Sequence, residues 1–448
     1  MTDLLADLSW TSRAELILVG TMLALLALAP RLEKSTTATS LLGVFGALGA
    51  GACGLQVEGL PRLGMLVVAV GVVVAMLLLQ VAELFDLRQR PEAAALVVVG
   101  GLGALVIVAS RSLLEIAIGV ELLSLSGATL VALGRGQRPL EAAFKYFLLS
   151  AVTFAMFLFG MALLFLANGS FGLDALNEVF GPGRGVALAG AALMVMGLAF
   201  KLALLPVHFG ALDAYTAGPA SLVGFVMLAS KLGAAAGIAK IASASGASVQ
   251  QLLLGAGLLT IGFGVVASFA QTELRRLLAY SAVAHAGFLA IAAGSPKLGM
   301  PTALFYVVCY GAAALLAFAA LAGTGSAAND DQLPVARLGN GLGRARALAL
   351  VLALASLAGV PPLPGFWAKL AVLMTAWKAW GPVPTALVAL GGVIGVIYYL
   401  RPVPDLLAQS KQEGPRLSLG VALALALTAG LVLFLAFAPG WGYWLANN

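Results

Sequence analysis

Long uninterrupted apolar runs constrain the fold of this chain more than any other feature of its sequence. A helix that crosses the hydrocarbon layer of a bilayer needs about 20 mostly apolar residues, because its backbone polar groups find no water there. The strands of a membrane barrel would instead alternate polar and apolar residues. Fourteen continuous runs satisfy the helical requirement, near residues 15–30, 39–57, 63–82, 93–110, 112–133, 144–168, 186–209, 219–243, 250–270, 277–294, 300–323, 347–377, 383–400 and 417–438.

Composition supports the same fold class, an all-α polytopic membrane protein with about 14 transmembrane helices. Hydrophobic residues make up 61% of the chain and charged residues 10%, whereas about 25% are charged in ordinary soluble domains. This balance excludes a disordered chain and a soluble globular domain. The net charge of +6 is spread along the chain without a basic cluster, so the sequence does not predict binding to nucleic acid.

The sequence lacks the motifs that hold common cofactors. Cys53 and Cys309 lie singly in apolar runs, which is typical of small buried side chains. There is no CxxCH, no P-loop and no HExxH pattern, so we expect no cofactor and no metal in this chain. The N-terminus carries Asp3 and Asp7 in place of a basic region, and we therefore expect no cleaved signal peptide.

Basic residues between the spans predict the orientation of the chain. Fourteen lysines and arginines lie in connections that follow odd-numbered spans, and six lie in connections that follow even-numbered spans. Positive residues concentrate on the cytoplasmic side of membrane proteins. We therefore expect a multi-pass protein of a bacterial inner membrane, with both termini on the periplasmic side.

Four lysines remain inside the predicted spans after the connections have been accounted for, and no arginine does. A charge at the centre of a bilayer is costly, so such residues are candidates for function. A desolvated lysine can lose its proton, whereas an arginine cannot, and this choice of residue favours a proton path. Lys145 is only two residues into its span and could also extend to the cytoplasmic surface. The lysines are Lys145, Lys201, Lys231 and Lys369.

A carboxylate and two histidines accompany these lysines. Glu121 lies near the middle of the fifth span, and we expect it to pair with a lysine of a neighbouring span, because pairing lowers the cost of both charges. Glu115 is nearer the end of that span and is either an interfacial charge or a second site. His208 and His285 also lie within spans, as hydrogen-bonded core residues or as proton relays.

Two of the spans contain helix-breaking residues close to a lysine. The seventh span has Pro206 between Lys201 and His208, and the twelfth has Gly359 and three prolines before Lys369. Proline and glycine interrupt helices, although such kinks also occur in inert membrane helices. Because the two spans are five apart in order along the chain, an odd number, they cross the membrane in opposite directions. Paired interruptions of this kind are typical of a transport site between inverted halves.

Seven stretches of the chain match a known pattern of charged and aromatic residues, at 119–125, 141–149, 200–208, 213–215, 230–231, 276–288 and 359–369. In these stretches the chain resembles the antiporter-like membrane subunits of respiratory complex I, and among them the N-type subunits. The lysine after the twelfth-span break and the Ala-His-Ala-Gly sequence around His285 favour the N type. The resemblance covers nearly the full length of the chain.

The resemblance implies fourteen helices that include two inverted five-helix repeats. The implied segments are residues 1–90 with helices 1–3, 91–245 with the first repeat, 246–405 with the second repeat, and 406–448 with the last helix. It also implies a role for each charge. Glu121 pairs with Lys201, Lys231 and His285 connect the half-channels, Lys369 ends the second half-channel, and Lys145 tunes the path or lies where protons enter it.

The function implied by the resemblance is proton translocation as a subunit of NADH:quinone oxidoreductase. Its partners would be other membrane subunits, including a second antiporter-like subunit and small membrane subunits. Other subunits would bind NADH and quinone and would carry flavin and iron–sulfur clusters. The alternatives are a subunit of an Mrp-type cation/proton antiporter, of a membrane-bound hydrogenase or of a ferredoxin- or F420-dependent complex, and a purely structural membrane scaffold.

Overall fold

The fold is that of an all-helical membrane protein, as a computed structural model shows. The structure describes residues 9–81, 86–176, 180, 185–296, 298–324, 342–409, 416–437 and 440. Among these residues there is no β-strand, only an isolated bridge between Ser112 and Gly172. The principal helices are α1 (Trp10–Ala27), α2 (Thr36–Gly54), α3 (Leu60–Leu78), α4 (Arg90–Ala109), α5 (Leu113–Ala132), α6 (Gln137–Asn168), α7a (Gly185–Leu202), α7b (Phe209–Ala217), α8 (Ala220–Ser245), α9 (Ala247–Phe269), α10 (Leu274–Ala293), α11 (Gly299–Leu321), α12a (Arg344–Ala358), α12b (Pro364–Trp380), α13 (Pro382–Leu400) and α14 (Leu419–Phe437).

These helices confirm the fold class and give each predicted span a helical segment. Within the described part of the chain, twelve helices are long and apolar enough to cross a membrane. The two predicted spans that do not reach this standard are the first, α1, and the twelfth, which is divided into α12a and α12b. Many of the helices begin where local chemistry favours it. The side chains of Ser9, Ser35 and Ser112 accept hydrogen bonds from the first turns of α1, α2 and α5, and serine is a favourable N-cap.

Three helices form the centre of the bundle, and two of them, α8 and α10, carry Lys231 and His285. Nearly all residues of α8, α10 and α11 are buried, whereas most residues of α6 and α13 are not. The outer helices expose large apolar side chains such as Phe45, Phe144 and Val266. In water such a surface would be unfavourable, but lipid tails are equally apolar. The arrangement therefore places lipid around the bundle and polar groups inside it.

Both predicted breaks are present, and they have the same backbone form. Helix α7a ends before Ala203 and α12a before Gly359, and these residues have positive φ angles of 66° and 86°. Each break also contains a cis proline peptide, at Pro206 and at Pro362. Glycine tolerates a positive φ at little cost, whereas Ala203 adopts it against the preference of its side chain.

The equivalence of the breaks extends to individual hydrogen bonds. The amides of residues 203 and 204 donate to the carbonyls of 200 and 199, and the amides of 359 and 360 donate to those of 356 and 355. Residue numbers in the two breaks therefore differ by 156 throughout. Because both α7a and α12a end in this way, the carbonyls of Leu202 and Ala358 receive no hydrogen bond from an amide of their own helix.

Candidate functional site

Lys201 is buried at the end of α7a and is held by hydroxyl groups. Its side chain is 2% exposed. The Nζ atom donates to Tyr146 Oη and to Ser150 Oγ, at 3.1 Å in each case. It also lies 4.6 Å from the centre of the Tyr146 ring, a distance at which a cation is attracted to an aromatic face. Both hydroxyl partners are on α6, so α6 positions this lysine.

The ion pair expected between Glu121 and Lys201 is absent from the structure, and this expectation is corrected. The ion pairs between described residues involve Lys145 and not Lys201. Glu121 is half-buried on α5 and lies within electrostatic range of Lys201 without touching it. The neutral hydroxyls of Tyr146 and Ser150 occupy the positions around Nζ where a carboxylate would bind.

Lys231 lies at the centre of the bundle and bridges two other helices. It is wholly buried on α8, and its Nζ atom donates to the carbonyls of Leu202 and Ala282 at 2.9 Å each. The Leu202 carbonyl is the one left free at the end of α7a, and Ala282 belongs to α10. A buried ammonium group needs such acceptors, and the break in the seventh span supplies one of them.

His285 lies on α10 between two tyrosine hydroxyls. Its Nδ1 atom is 2.6 Å from Tyr306 Oη, and its Nε2 atom is 2.9 Å from Tyr399 Oη. A tyrosine hydroxyl can either donate or accept, so both contacts persist whether the imidazole carries one proton or two. The pair of tyrosines therefore lets His285 gain or lose a proton without leaving a buried polar atom unpaired.

Lys369 lies in the first turns of α12b and reaches back to the end of α12a. Its Nζ atom donates to the Ala358 carbonyl at 2.7 Å. Ala358 is the counterpart of Leu202 in the other break. The same free carbonyl thus accepts a lysine in both breaks, from α8 in one case and from α12b in the other.

These groups form one row through the middle of the bundle. Tyr310 connects Lys231 with His285, because its ring lies 5.4 Å from Lys231 Nζ and 4.7 Å from the imidazole. His285 is within electrostatic range of both Lys231 and Lys369. Phe288 lies on the far side, 6.3 Å from the His285 ring and 5.9 Å from Lys369 Nζ. Lys231, His285 and Lys369 thus lie close together, and Lys231 also reaches the carbonyl of Leu202, the residue that follows Lys201.

Lys145 lies apart from this row, in a polar cleft. Its side chain is 49% exposed, so it is not a buried base as its place in an apolar span suggested. It pairs with Glu141 at 2.7 Å and with Asp213 at 3.5 Å. Arg276 and Tyr280 also line the cleft, which has a volume of about 630 Å³. Lys145 lies near the start of α6. Its position and exposure fit the alternative given by the sequence, in which its side chain extends toward the membrane surface.

His208 does not extend the row along the seventh span. The helix stops at Leu202, so the face that Lys201 and His208 would share on a continuous helix does not exist. Neither imidazole nitrogen makes a hydrogen bond of normal geometry, although the backbone of Pro206 interacts with the ring. The ring packs against Phe209 and Phe263, with centroid distances of 4.0 and 4.8 Å.

The two break lysines are not counterparts of each other. The shift of 156 residues that relates the breaks places Leu357 opposite Lys201 and Asp213 opposite Lys369. The two breaks thus have the same backbone conformation but carry charged residues at different positions. Asp213 is the residue that pairs with Lys145, so the position that holds a lysine in the second break holds the carboxylate of the cleft in the first.

Sequence reasoning missed the hydroxyl groups of the site. Tyrosine in membrane helices is expected at the interfaces, whereas Tyr146, Tyr306 and Tyr399 are buried and contact Lys201 or His285. Tyr306 lies well inside its predicted span, whereas Tyr146 and Tyr399 lie close to the ends of theirs, where a place at the interface was the natural expectation. Asp213 and Glu141 were also missed as site residues, although both lie in stretches that match the family pattern.

Comparison with known protein families supports the resemblance. The model of the membrane family described as NADH:quinone oxidoreductase/Mrp antiporter matches residues 110–395. NADH-quinone oxidoreductase subunit N of Geobacter metallireducens is 35% identical over 357 residues, which cover 77% of this chain and 76% of the relative. NADH-quinone oxidoreductase subunit 14 of Thermus thermophilus is 37% identical over 77% of this chain and 78% of the relative.

Solved structures share the fold over nearly the whole chain. A chain of respiratory complex I from Thermus thermophilus with bound aureothin has a TM-score of 0.82 and 30% identity, and the match covers 96% of this chain and 98% of that one. A chain of the Mrp complex from Dietzia sp. DQ12-45-1b has a TM-score of 0.79 at 16% identity and covers 98% of this chain and 96% of that one. The second likeness shows the fold alone.

Proposed function

Because the chain belongs to the family of NADH-quinone oxidoreductase subunit N, we propose that it translocates protons as a membrane subunit of that complex. The observation that carries the proposal is the row from Lys201 through Lys231 and His285, which are buried, to the part-buried Lys369. Each member can bind and release a proton, and each is held by neutral hydroxyls or carbonyls. A fixed carboxylate partner would hold a lysine in the charged form, and among the described residues no carboxylate forms an ion pair with these three lysines.

Two unpartnered polar atoms, close to Lys231 and to the second break, support hydration of the site. Among the described residues, the buried Oγ atoms of Ser230 and Ser356 lack hydrogen-bond partners. Buried polar groups are normally satisfied, and water satisfies those that the protein does not. Ser230 adjoins Lys231, and Ser356 lies in the last turn of α12a. Water at these places would join the titratable groups into a continuous route.

The cleft around Lys145 is our candidate for the place where protons enter from the cytoplasmic side. The ion pairs of Lys145 with Glu141 and Asp213 are exposed, so they exchange with solvent and contribute little to stability. Lys145 is on α6, the helix that also carries Tyr146 and Ser150. Lys145, whose charge would change in the cleft, is therefore adjacent in sequence to Tyr146, which binds Lys201.

The remaining features of the proposal follow from membership of the family. We propose that the chain carries no redox group, and that partner subunits hold flavin and iron–sulfur clusters and bind NADH and quinone. The partners are other membrane subunits, including a second antiporter-like subunit and small membrane subunits. The complex would lie in a bacterial inner membrane with both termini on the periplasmic side. The segments 1–90, 91–245, 246–405 and 406–448 stay a prediction.

The test replaces lysines of the row in the assembled complex. Lys201→Ala and Lys369→Ala should each lower proton translocation and the coupled NADH–quinone activity by at least about tenfold, as expected when a proton-transfer group is lost. Lys378→Ala is the matched control, because Lys378 is an exposed lysine at the other end of α12b. Wild-type rates in both row variants would overturn the proposal.

A second candidate is an Mrp-type cation/proton antiporter subunit, since the family model spans both kinds of protein and an Mrp chain shares the fold. The complex purified through this chain decides between them. Flavin and iron–sulfur absorbance in the purified complex supports the oxidoreductase. A complex without these absorbances that exchanges sodium for protons supports the antiporter.

A further inference from the structure

The hydrogen bonds of Lys201 continue across two helices. Lys201 Nζ donates to Ser150 Oγ at 3.1 Å on α6, and the Ser150 hydroxyl donates to Ser124 Oγ at 2.8 Å on α5. All three side chains are at most 3% exposed. A buried hydroxyl chain therefore leads from the lysine to the helix that carries Glu121.

The bond between the serines differs from the usual arrangement in this bundle. Serine and threonine in membrane helices commonly donate to the carbonyl four residues earlier in the same helix. Ser126, Thr129 and Thr153 on α5 and α6 do so. Ser150 is directed across the interface between the helices instead. Its hydroxyl is therefore placed to connect groups, and the stability of α6 does not require it.

Ser124 brings the chain close to the carboxylate. It is three residues after Glu121 on α5, and residues at this spacing are neighbours on one helical face. In the structure the Ser124 hydroxyl donates to the Val120 carbonyl at 2.8 Å. The chain thus stops at the carbonyl of the residue before Glu121, and the Ser124 hydroxyl would have to turn away from that carbonyl to reach the carboxylate.

We propose that Ser150 and Ser124 form a hydroxyl bridge through which Lys201 and Glu121 exchange a proton without direct contact. The inference rests on the proposed function. The Lys201 ammonium gives a proton to Ser150 Oγ, Ser150 gives its own proton to Ser124 Oγ, and Ser124 gives its own to Glu121. Lys201 becomes a neutral amine and Glu121 a neutral carboxyl group. Both serines are again neutral hydroxyls, but their hydrogens now lie toward Lys201, so both must turn back before the next transfer.

The bridge has an open and a closed setting. While the Ser124 hydroxyl donates to the Val120 carbonyl, no proton can pass, because a backbone carbonyl does not accept one. Passage requires the hydroxyl to turn, which exchanges one hydrogen bond for another within the same buried site. The orientation of the Ser124 hydroxyl therefore controls whether a proton can pass. Lys201 remains bound to Tyr146 in both settings.

The test uses serine variants in the assembled complex, with proton translocation and NADH–quinone activity measured in the same vesicles. Ser150→Ala and Ser124→Ala should each lower proton translocation by at least about tenfold. The double variant should be no worse than either single one, because the two hydroxyls act in series. Ser150→Thr, which restores a hydroxyl, should recover most of the rate.

Ser126→Ala is the matched control, because Ser126 is a buried serine of α5 whose hydroxyl donates within its own helix. It should translocate protons at the wild-type rate. Glu121→Gln and Lys201→Ala are measured alongside. If these two lower translocation while the serine variants do not, the bridge is overturned and the proposed function stands. If none of the variants changes it, the proposed function fails as well.

Amounts of assembled complex separate a transport defect from a folding defect. The two single alanine variants lie on different helices, so each tests the bridge independently of the other. Additive losses in the double variant, or a Ser150→Thr variant as slow as Ser150→Ala, would assign the serines a packing role and overturn the inference.

Discussion

Two lysines of α8 show how the same side chain serves different purposes in one helix. Lys240 donates to three carbonyls and one hydroxyl at the end of α4, at 2.6 to 3.0 Å. This arrangement caps a helix C-terminus, where cations are favoured. Lys231 has two carbonyl partners and lies beside Tyr310 and His285. We assign the first a structural purpose and the second a part in proton transfer.

Exchange of lysine for arginine separates these purposes. Arginine retains the positive charge and the donors but cannot give up its proton. Lys231→Arg should therefore lower proton translocation by at least about tenfold, whereas Lys240→Arg should leave it unchanged. The measurement is proton uptake by vesicles during NADH oxidation. A Lys231→Arg complex with the wild-type rate would show that this lysine does not need to titrate.

The tyrosine pair around His285 gives a second prediction at this scale. His285→Phe removes the imidazole partner of both hydroxyls. The Tyr399 hydroxyl still interacts with Ser281 and Tyr398, so the cost of about 1–3 kcal/mol for a buried group left unpaired falls mainly on Tyr306. Tyr399→Phe leaves the bond between His285 and Tyr306 in place and should lower thermal stability less. In a double-mutant cycle in detergent, the two changes should be non-additive. Additive losses would mean that the contact contributes nothing to the site.

Sequence reasoning could place single residues in the membrane but could not decide what they touch. Lys201 and Lys231 were predicted as buried bases from their distance to the ends of apolar runs, and they are buried. The contacts of Ser150, Ser124 and Tyr146 depend on how α5, α6 and α7a are rotated against one another. No local pattern encodes that rotation, so the direct contact expected between Glu121 and Lys201 could not be checked from the sequence and is not formed in the structure.

At the scale of elements, the two breaks were predictable and their equivalence was not. Pro206 and the Pro361–Pro362–Leu–Pro364 segment interrupt long apolar runs, and both interruptions are present. A lysine lies near each break, but the backbone register pairs Lys369 with Asp213 and not with Lys201. This register follows from the matching backbone hydrogen bonds and positive φ angles of the two breaks, which the sequence does not display.

The residues with positive φ provide a test of the break geometry. A side chain in the left-handed region costs roughly 1–2 kcal/mol, and a methyl group added at Gly359 would lie 3.1 Å from Lys369 Cδ and 3.3 Å from its Nζ. Gly359→Ala should therefore lower thermal stability and disturb proton translocation together. A variant with wild-type stability and rate would contradict the observed geometry.

Ala203→Gly is the complementary change in the other break. It relieves a similar strain but removes a buried methyl group, worth about 0.8 kcal/mol, and adds backbone freedom that costs about 0.5–1 kcal/mol. These effects nearly cancel, so the melting temperature of the complex should hardly move. A large loss of stability would show that Ala203 is held by packing and not by the demands of the turn.

For the whole molecule, hydropathy and the basic connections define a topology that can be measured directly. In a background of Cys53→Ala and Cys309→Ala, a cysteine at Gln137 should react with a membrane-impermeant thiol reagent from the cytoplasmic side only. A cysteine at Gln56 should react from the periplasmic side only. Both positions are exposed, and neither replacement alters the charge balance. Labelling from the opposite sides would invert the orientation, and labelling of both from one side would contradict the number of spans between them.

The hydrogen bonds made by two lysines of α8 limit how far this helix can move within the bundle. Six hydrogen bonds from Lys231 and Lys240 fasten this helix to α4, α7a and α10. If α8 slid by one residue, a displacement of 1.5 Å, these hydrogen bonds would lengthen or lose their alignment. We therefore expect α8 to stay in place while protons and hydroxyl groups move around it.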